Sequence, residues 1–184
     1  ASDPAPAPPS TSIGAGGIQR PTPASARRRL IFARVPPPQP SSVEWEEFIE
    51  SLALQGQCQA PASLPARPGW FDAAQIAQVI INLVKNARES GCEATDIELL
   101  IEDGVDHIAI TVRDRGAGMS EPVLTNALLP FYSTKRSGSG LGLPLAREIV
   151  EAHGGTISLR NREGGGCCVR FTLPAGQEHR RMSS

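Results

Sequence analysis

Residues 72–91 read DAAQIAQVIINLVKNARESG, and this stretch decides the fold class. Its apolar residues share helical spacing: Ile76, Val79, Ile80, Leu83, Val84 and Ala87. A stripe of this kind predicts an amphipathic helix that packs one face on a sheet. Asp72 is a suitable N-cap for the helix, and Gly91 is a suitable residue to end it.

The sheet is predicted from two hairpin patterns that follow this helix. Residues 97–101 and 107–112 have strand composition and are joined by a short polar turn. Residues 156–159 and 167–173 have the same character, and the glycines at 164–166 lie between them. The two patterns together predict four strands in a single sheet.

Two more helices complete the predicted architecture. One runs from Leu141 to His153, and the other begins at a Ser41-Ser42 cap and continues as an apolar stripe. Residues 69–71 are predicted to be a loop. This order of elements predicts an α/β fold, specifically a two-layer α/β sandwich whose mixed sheet is covered on one face by three helices.

Length and composition favour one domain with unstructured ends. The chain has 184 residues, 40% of them hydrophobic, which is enough for one core. Residues 1–40 hold 10 of the 17 prolines, so we expect a largely disordered segment and linker there. The domain is predicted at 41–175, and 176–184 form a polar tail.

Charge and cysteine spacing limit the possible partners. The net charge of -1 gives no whole-chain attraction to nucleic acid. The four cysteines show no C-x-x-C spacing and indicate free thiols in a reducing compartment, because no second Cys and His cluster supports a zinc or redox site. The apolar runs are short, so we expect a cytoplasmic domain without a membrane span, whose parent protein could still be anchored in an inner membrane.

Four short signatures occur in one order within the predicted domain. They are NLVKNA at 82–87, DRGAG at 114–118, PFYSTK at 130–135 and GSGLGL at 138–143. Asn82 and Asn86 are four residues apart and therefore share one stripe of the long helix. Amide oxygens are hard ligands that suit Mg²⁺.

The second signature follows a strand, and the fourth opens a helix. The Asp114 carboxylate can accept a hydrogen bond from an exocyclic amine, while Gly116 and Gly118 allow the backbone to approach a flat ring. The free N–H groups at the start of the helix after residue 138 favour a phosphate. The spacing there is neither that of a P-loop nor that of a dinucleotide-binding fingerprint.

The third signature lies in a loop-rich stretch of about 25 residues, which we interpret as a mobile lid because compact domains rarely keep long loops without using them. Phe131 and Tyr132 are predicted to anchor this lid. Lys135 is the predicted contact to a γ-phosphate.

The ordered set of signatures resembles the N, G1, F and G2 boxes of the ATP-binding catalytic domain of sensor histidine kinases. That domain has the Bergerat fold, which it shares with gyrase, heat-shock chaperones and mismatch-repair ATPases. The resemblance covers about residues 43–174 and implies ATP and Mg²⁺ as cofactors. The implied nucleotide-binding residues are Asn82, Lys85, Asn86, Asp114, Gly116, Gly118, Phe131, Thr134, Lys135, Ser139, Gly140, Leu141, Gly142, Leu143 and Thr172.

The resemblance also implies roles within this set. Asn86 is the metal ligand, Asp114 binds the adenine amine, and Thr172 hydrogen-bonds near the adenine. Asn82, Asn86 and Lys135 are the implied catalytic residues. Asn82 stands where gyrase-type ATPases have a glutamate, and an amide cannot act as a general base.

The implied reaction is transfer of the ATP γ-phosphoryl group to a histidine. His107, His153 and His179 do not lie in a phosphoacceptor pattern, so we expect the substrate histidine outside residues 1–184. The implied partners are a phosphoacceptor and dimerisation domain, in a parent kinase that is a homodimer, and a response regulator. Residues 26–35 resemble the end of the dimerisation helix that precedes this domain in many histidine kinases. Residues 32–36 and 146–155 look closest to nitrogen-regulation-type kinases.

Two alternative functions remain open at this point. A gyrase-type ATPase would hydrolyse ATP, although the amide at Asn82 argues against it. A non-catalytic nucleotide-binding module, or an anti-sigma-type serine kinase, would present the same pocket for another purpose.

Overall fold

The computed structural model describes residues 35–52, 54, 56–130, 132 and 140–175. The predicted long helix forms at Ala73–Arg88, and Asp72 caps it by accepting a hydrogen bond from the Gln75 backbone N–H. The elements in chain order are β1 (Ser41–Val43), α1 (Trp45–Ser51), β2 (Gly69–Phe71), α2 (Ala73–Arg88), a 3₁₀ turn (Ala94–Asp96), β3 (Glu98–Asp103), β4 (His107–Arg113), α3 (Glu121–Asn126), α4 (Gly142–Ala152), β5 (Thr156–Asn161) and β6 (Cys167–Pro174).

The main sheet has four strands in the order β3-β4-β6-β5, and every neighbouring pair is antiparallel. Both predicted hairpins are present, as β3-β4 and β5-β6. The mixed character of the sheet rests on one parallel bridge between Gln59 and Glu98 at the β3 edge. β4 and β6 are the central strands, and β4 leads directly to Asp114.

The core lies between the main sheet and the helices. All six apolar residues of the predicted α2 stripe are buried, and they pack with alternate residues of the strands. Trp45, Phe48 and Phe71 extend this core, with ring centroids 5.2–6.0 Å apart. Burying each large apolar side chain contributes about 2 kcal/mol, so this contact fixes α1 on the domain. The two-layer α/β sandwich is confirmed.

The start of the domain differs from the prediction. Ser41 and Ser42 do not cap a helix but lie in β1. β1 pairs with β2, whose residues the sequence predicts to be a loop. α1 begins later, at Trp45, after Glu44, which makes no side-chain capping hydrogen bond. The pairing of β1 with β2 depends on a partner about 30 residues away in the chain, which local sequence signals do not reveal.

The stretch before α4 is not wholly loop. α3 forms within it after Ser120, with Pro122 in its first turn, where a missing N–H is tolerated. The rest of the predicted lid at residues 131 and 133–139 lies outside the described residues, as do the predicted terminal segments 1–34 and 176–184. No helix among the described residues has the length and hydropathy needed to cross a bilayer.

Candidate functional site

Asp114 is the buried carboxylate at the end of β4, with 6% of its surface exposed. Its Oδ1 accepts hydrogen bonds from the Gly116 N–H at 2.9 Å, the Cys167 N–H at 3.2 Å and the Ser90 hydroxyl at 3.4 Å. Among the described residues, no hydrogen bond reaches Oδ2. Since a carboxylate oxygen accepts about two hydrogen bonds, Oδ2 keeps its acceptor capacity for a ligand.

The turn between β5 and β6 packs against the backbone of this carboxylate. The Asp114 N–H donates to the Cys167 carbonyl, and the Arg162 guanidinium donates to the Asp114 carbonyl, both at 3.0 Å. A Cβ on Gly166 would lie 2.0 Å from the Asp114 carbonyl oxygen. Glycine at position 166 therefore allows the hairpin to close on Asp114.

The two glycines after Asp114 have packing roles. A Cβ on Gly116 would lie 1.9 Å from Ser90 Oγ, at the end of α2. Gly118 has φ +72° beside Asn161, whose side chain bonds the N–H and carbonyl of Met119 at 2.9 and 2.7 Å. These contacts attach the loop to α2 on one side and to β5 on the other. The predicted approach of a flat ring to these glycines stays a prediction.

The α2 residues of the first signature take different positions. Asn86 Nδ2 lies 3.8 Å from where a Cβ on Gly142 would be, so this amide faces the start of α4. Asn82 lies one turn earlier, and its Oδ1 accepts a hydrogen bond from Gln78 Nε2 at 3.1 Å. The Lys85 side chain is 72% exposed and lies 4.0 Å from the Glu89 carboxylate. Lys85 thus faces solvent and makes no described contact with Asp114 or Gly142.

The start of α4 follows the fourth signature. Gly140 has φ +65°, Leu141 is the N-cap, and Gly142 is the first helical residue. Leu141 makes no side-chain capping hydrogen bond, so the N-cap side chain leaves the first N–H groups of α4 unoccupied. Leu143 packs on the core and holds this helix start in place.

Thr172, which the resemblance implies to hydrogen-bond near the adenine, does not lie beside Asp114. It pairs with Ala109, five residues before Asp114 on β4, and this places it about 16 Å along the strand. Its side chain bonds the Thr156 hydroxyl at 2.9 Å, on the sheet face opposite the helices. The physical reason is strand alternation, because odd-numbered residues of β6 face the core and even-numbered ones face away.

Cys167 is the β6 residue beside Asp114, and the sequence reasoning missed it. Burial and then the nearby Asp114 charge raise the pKa of its thiol to about 11. Ser90 and Asn161 were missed as well. Counting alternate residues back from Leu173 along the predicted strand would have identified Cys167 as core-facing, but no sequence signal identified Ser90.

Four of the predicted site residues lie outside the described residues: Phe131, Thr134, Lys135 and Ser139. The described part of the site therefore consists of three groups. They are the buried Asp114 carboxylate with Oδ2 available, the Asn86 amide that faces the start of α4, and the first N–H groups of α4.

Comparison with known proteins identifies relatives among sensor kinases. The chain is 39% identical over 111 residues to the sensor protein FixL of Bradyrhizobium diazoefficiens, which is 59% of this chain and 22% of that one. It is 40% identical over 149 residues to a putative NtrY-like sensor histidine kinase of Rickettsia conorii, which is 76% of this chain and 25% of that one. The chain thus spans a quarter or less of the length of these curated relatives.

Solved structures give the same result. The catalytic domain of the histidine kinase ThkA matches with a TM-score of 0.65 and 29% identity, over 77% of this chain and 99% of that one. ThkA in complex with the response regulator protein TrrA matches with a TM-score of 0.65 and 25% identity, over 83% of this chain and 47% of that one.

The family model for histidine kinase-, DNA gyrase B- and HSP90-like ATPases matches residues 71–177. This range begins just before α2 and includes all four signatures. The chain therefore belongs to this ATPase family, as a catalytic domain of the sensor histidine kinase type.

Proposed function

We propose that residues 41–175 bind ATP with Mg²⁺ and transfer the γ-phosphoryl group to a histidine outside residues 1–184. The observation that carries this proposal is the Asp114 carboxylate, buried and fixed through Oδ1, with Oδ2 free of described hydrogen bonds. A fixed acceptor of this kind suits a planar base that presents one amine.

The base would be adenine. The adenine exocyclic amine can donate to Asp114 Oδ2, whereas guanine presents a carbonyl oxygen at the corresponding position. Two acceptor oxygens facing each other in a buried site would leave both without a donor, which costs about 1–3 kcal/mol. The site should therefore select adenine over guanine.

The phosphates and the metal would occupy the space between α2 and α4. Asn86 faces Gly142, so its amide oxygen can bind Mg²⁺ close to phosphates held by the N–H groups that open α4. When bound, Mg²⁺ would offset phosphate charge. Asn82 would support this site without activating water, because an amide is not a general base. Catalysis would then consist mainly of positioning and electrostatic stabilisation.

The lid residues Phe131, Thr134, Lys135 and Ser139 are proposed to close over the triphosphate. Lys135 would contact the γ-phosphate in the closed state. The N–H groups of Gly140 and Leu141 lie next to the helix start and would add to the phosphate contacts.

The proposed partners are a phosphoacceptor and dimerisation domain and a response regulator. The complex of ThkA with TrrA supports the second of these. The alignment with the NtrY-like kinase extends over 76% of the chain, compared with 59% for FixL, which supports a nitrogen-regulation-type parent kinase.

Calorimetric titration tests nucleotide binding. The chain would be titrated with ADP and with a non-hydrolysable ATP analogue, with and without Mg²⁺, and GTP would be the control. We expect micromolar binding that selects adenine and is strengthened by Mg²⁺. Equal affinity for GTP, or no binding of either nucleotide, would overturn the assignment of Asp114.

A transfer assay tests the reaction. The chain would be mixed with radiolabelled ATP and a separately expressed phosphoacceptor domain of an NtrY-like kinase. We expect acid-labile, alkali-stable label on that domain, and none when its histidine is replaced. Efficient release of inorganic phosphate without any transfer would instead favour an ATPase, and acid-stable label on a serine would favour a serine kinase.

A further inference from the structure

We infer that Ser90 is a positioning residue for Asp114. By holding this carboxylate, Ser90 sets how strongly the site prefers a nucleotide with an exocyclic amine over one without it. The inference rests on the proposed function, because it takes Asp114 Oδ2 as the acceptor for adenine. Ser90 belongs to none of the four signatures, and it contacts the second of them from the end of α2.

The geometry brings Ser90 against Asp114 and Gly116. Ser90 Oγ lies 3.4 Å from Asp114 Oδ1 and 2.7 Å from the Ala87 carbonyl oxygen. A Cβ on Gly116 would lie 1.9 Å from Ser90 Oγ and 2.6 Å from its Cβ. The Ser90 side chain thus fills the space that a side chain at position 116 would need, directly beside the carboxylate.

Ser90 affects Asp114 by restricting rotation of the carboxylate. The terminal torsion of aspartate is broad, so the carboxylate plane can still tilt about the Cβ–Cγ bond while the backbone donors hold Oδ1. The Gly116 and Cys167 N–H groups hold Oδ1 from the loop and from β6. Ser90 adds a contact from a third segment, the turn that follows α2, and so restricts this tilt and the direction in which Oδ2 points.

The hydroxyl has one proton to share among three acceptors: the Ala87 carbonyl oxygen, Asp114 Oδ1 and, at 3.7 Å, Cys92 Sγ. The shorter distance gives the Ala87 carbonyl the larger share, and the bond to Asp114 is the weaker one. The expected effect of Ser90 on affinity is therefore severalfold, well below that of Asp114 itself. Because Ala87 follows Asn86 directly, Ser90 also connects the helix of the proposed metal ligand to the proposed adenine contact.

The test compares two diphosphates that differ only in the exocyclic amine. Dissociation constants for ADP and for purine riboside diphosphate, which has hydrogen in place of the amine, would be measured for the full chain, for Ser90→Ala and for Ser90→Gly. We expect Ser90→Ala to weaken ADP binding about threefold to tenfold and to leave the amine-free nucleotide within twofold. Ser90→Gly, which also removes the packing against Gly116, should reduce the preference for ADP at least as much.

A matched control is Ser158→Ala on β5. Ser158 is exposed on the sheet face opposite the helices and donates to the Arg170 carbonyl at 3.4 Å. This variant should preserve both affinities. Thermal unfolding of every variant shows whether it is folded at the titration temperature.

The ratio of the two affinities separates the outcomes. A purely structural role for Ser90 would weaken both nucleotides equally, and an unchanged ratio in folded Ser90→Ala and Ser90→Gly would overturn the inference. If the unmodified chain does not prefer ADP, both the inference and the proposed function fail. If Asp114→Asn abolishes the preference and the Ser90 variants keep it, only the inference fails.

Discussion

An aspartate lies beside each end of α2, and the hydrogen bonds of the two carboxylates differ in the way expected if Asp72 belongs to the scaffold and Asp114 binds the nucleotide as proposed. At the N-terminal end, Asp72 Oδ1 accepts from the Gln75 N–H at 3.1 Å and Oδ2 accepts from the Gln39 N–H at 3.0 Å. At the C-terminal end, all the described hydrogen bonds to the Asp114 carboxylate reach Oδ1. A scaffold carboxylate has both oxygens engaged by the protein, whereas a binding carboxylate keeps one oxygen for its ligand.

The surroundings of Asp72 support its role in the scaffold. The Asp72 N–H donates to His153 Nε2 at 3.2 Å, and His153 Nδ1 lies 2.8 Å from the Ile149 carbonyl oxygen. Through these two contacts the His153 ring joins the end of α4 to the start of α2. The Gln75 side chain also donates to the Pro36 carbonyl at 2.9 Å. These bonds fix the direction in which the chain enters the domain.

The strongest test of this comparison replaces each aspartate with asparagine. Asp114→Asn places an amide next to the proposed amine and should weaken ADP binding about 10-fold to 100-fold, since a hydrogen bond to a charged group is worth about 1.5–3 kcal/mol. Asp72→Asn keeps a capping oxygen and should leave ADP binding within twofold. Calorimetry on the two variants measures both effects. Similar losses of affinity would show that the two carboxylates do not differ in the way proposed.

The next test concerns how closely the C-terminal end is packed. Gly116→Ala would place its Cβ 1.9 Å from Ser90 Oγ, so we expect a loss of about 1–3 kcal/mol in the free energy of unfolding. Ser90→Gly removes Oγ and Cβ, the two nearest atoms, and leaves the Ser90 carbonyl oxygen at 2.9 Å, so the double variant Gly116→Ala, Ser90→Gly should recover about 1 kcal/mol of coupling energy. Urea denaturation of the unmodified chain, the two single variants and the double variant provides the measurement. Additive losses would mean that the loop moves away from α2 at little cost.

The elements that sequence predicted best are those specified by local periodicity. The α2 stripe and the two hairpins follow from residues that are close in the chain, and the structure contains all of them. β1 and β2 were missed because each has 3 residues and forms only through pairing with the other, as in Ser42 with Trp70. Short strands of this kind are specified by tertiary contact and not by propensity.

In the site, too, residues in local sequence signatures were predicted, and residues placed by contacts distant in the chain were missed. Asn86 and Gly142 were predicted from separate signatures, and the structure brings them together. Thr172 was assigned from resemblance alone, and strand alternation places it on the opposite face. Ser90 and Cys167 were missed because only the folded chain brings them beside Asp114. Ser90 lies just after the end of α2, and Cys167 is the first residue of β6.

A third test measures the charge of Asp114 through its neighbour. Burial and then the Asp114 charge raise the pKa of the Cys167 thiol to about 11, above the value of about 8.5 expected in an unfolded chain. Because the folded pKa is raised, this stabilisation is present below about pH 8.5 and is lost as the pH rises toward 11. Between pH 8 and 10, the unmodified chain should therefore lose about 1–2 kcal/mol more unfolding free energy than Cys167→Ala. Asp114→Asn should reduce that difference, and urea denaturation at several pH values would show it. Parallel pH curves for the unmodified chain and Cys167→Ala would contradict this effect of burial and charge.

The smallest expected effect is at the N-terminal end of α2, where Asp72 acts only on stability. Burial raises the pKa of Asp72, but hydrogen bonds from the Gln39, Gln75 and Ala74 N–H groups and the nearby His153 more than offset it, so its net pKa is lowered. A lowered folded pKa means that the stabilisation is present above the unfolded value of about 3.9 and is lost as the pH falls through the folded pKa. Asp72→Ala should cost about 1 kcal/mol near neutral pH, as is usual for an N-cap, and this difference from the unmodified chain should shrink in acid.

Asp72→Asn is the matched control for that experiment, because it keeps the capping oxygen without a titrating group. Its unfolding free energy should therefore lack the Asp72 contribution to the pH dependence, while its ADP affinity stays that of the unmodified chain. A change in ADP affinity that follows the loss of the cap would mean that the two ends of α2 are coupled. In that case loss of the Asp72 hydrogen bonds, including the one from Gln39, would change nucleotide affinity through α2. The division of α2 into a scaffold end and a binding end would then be wrong.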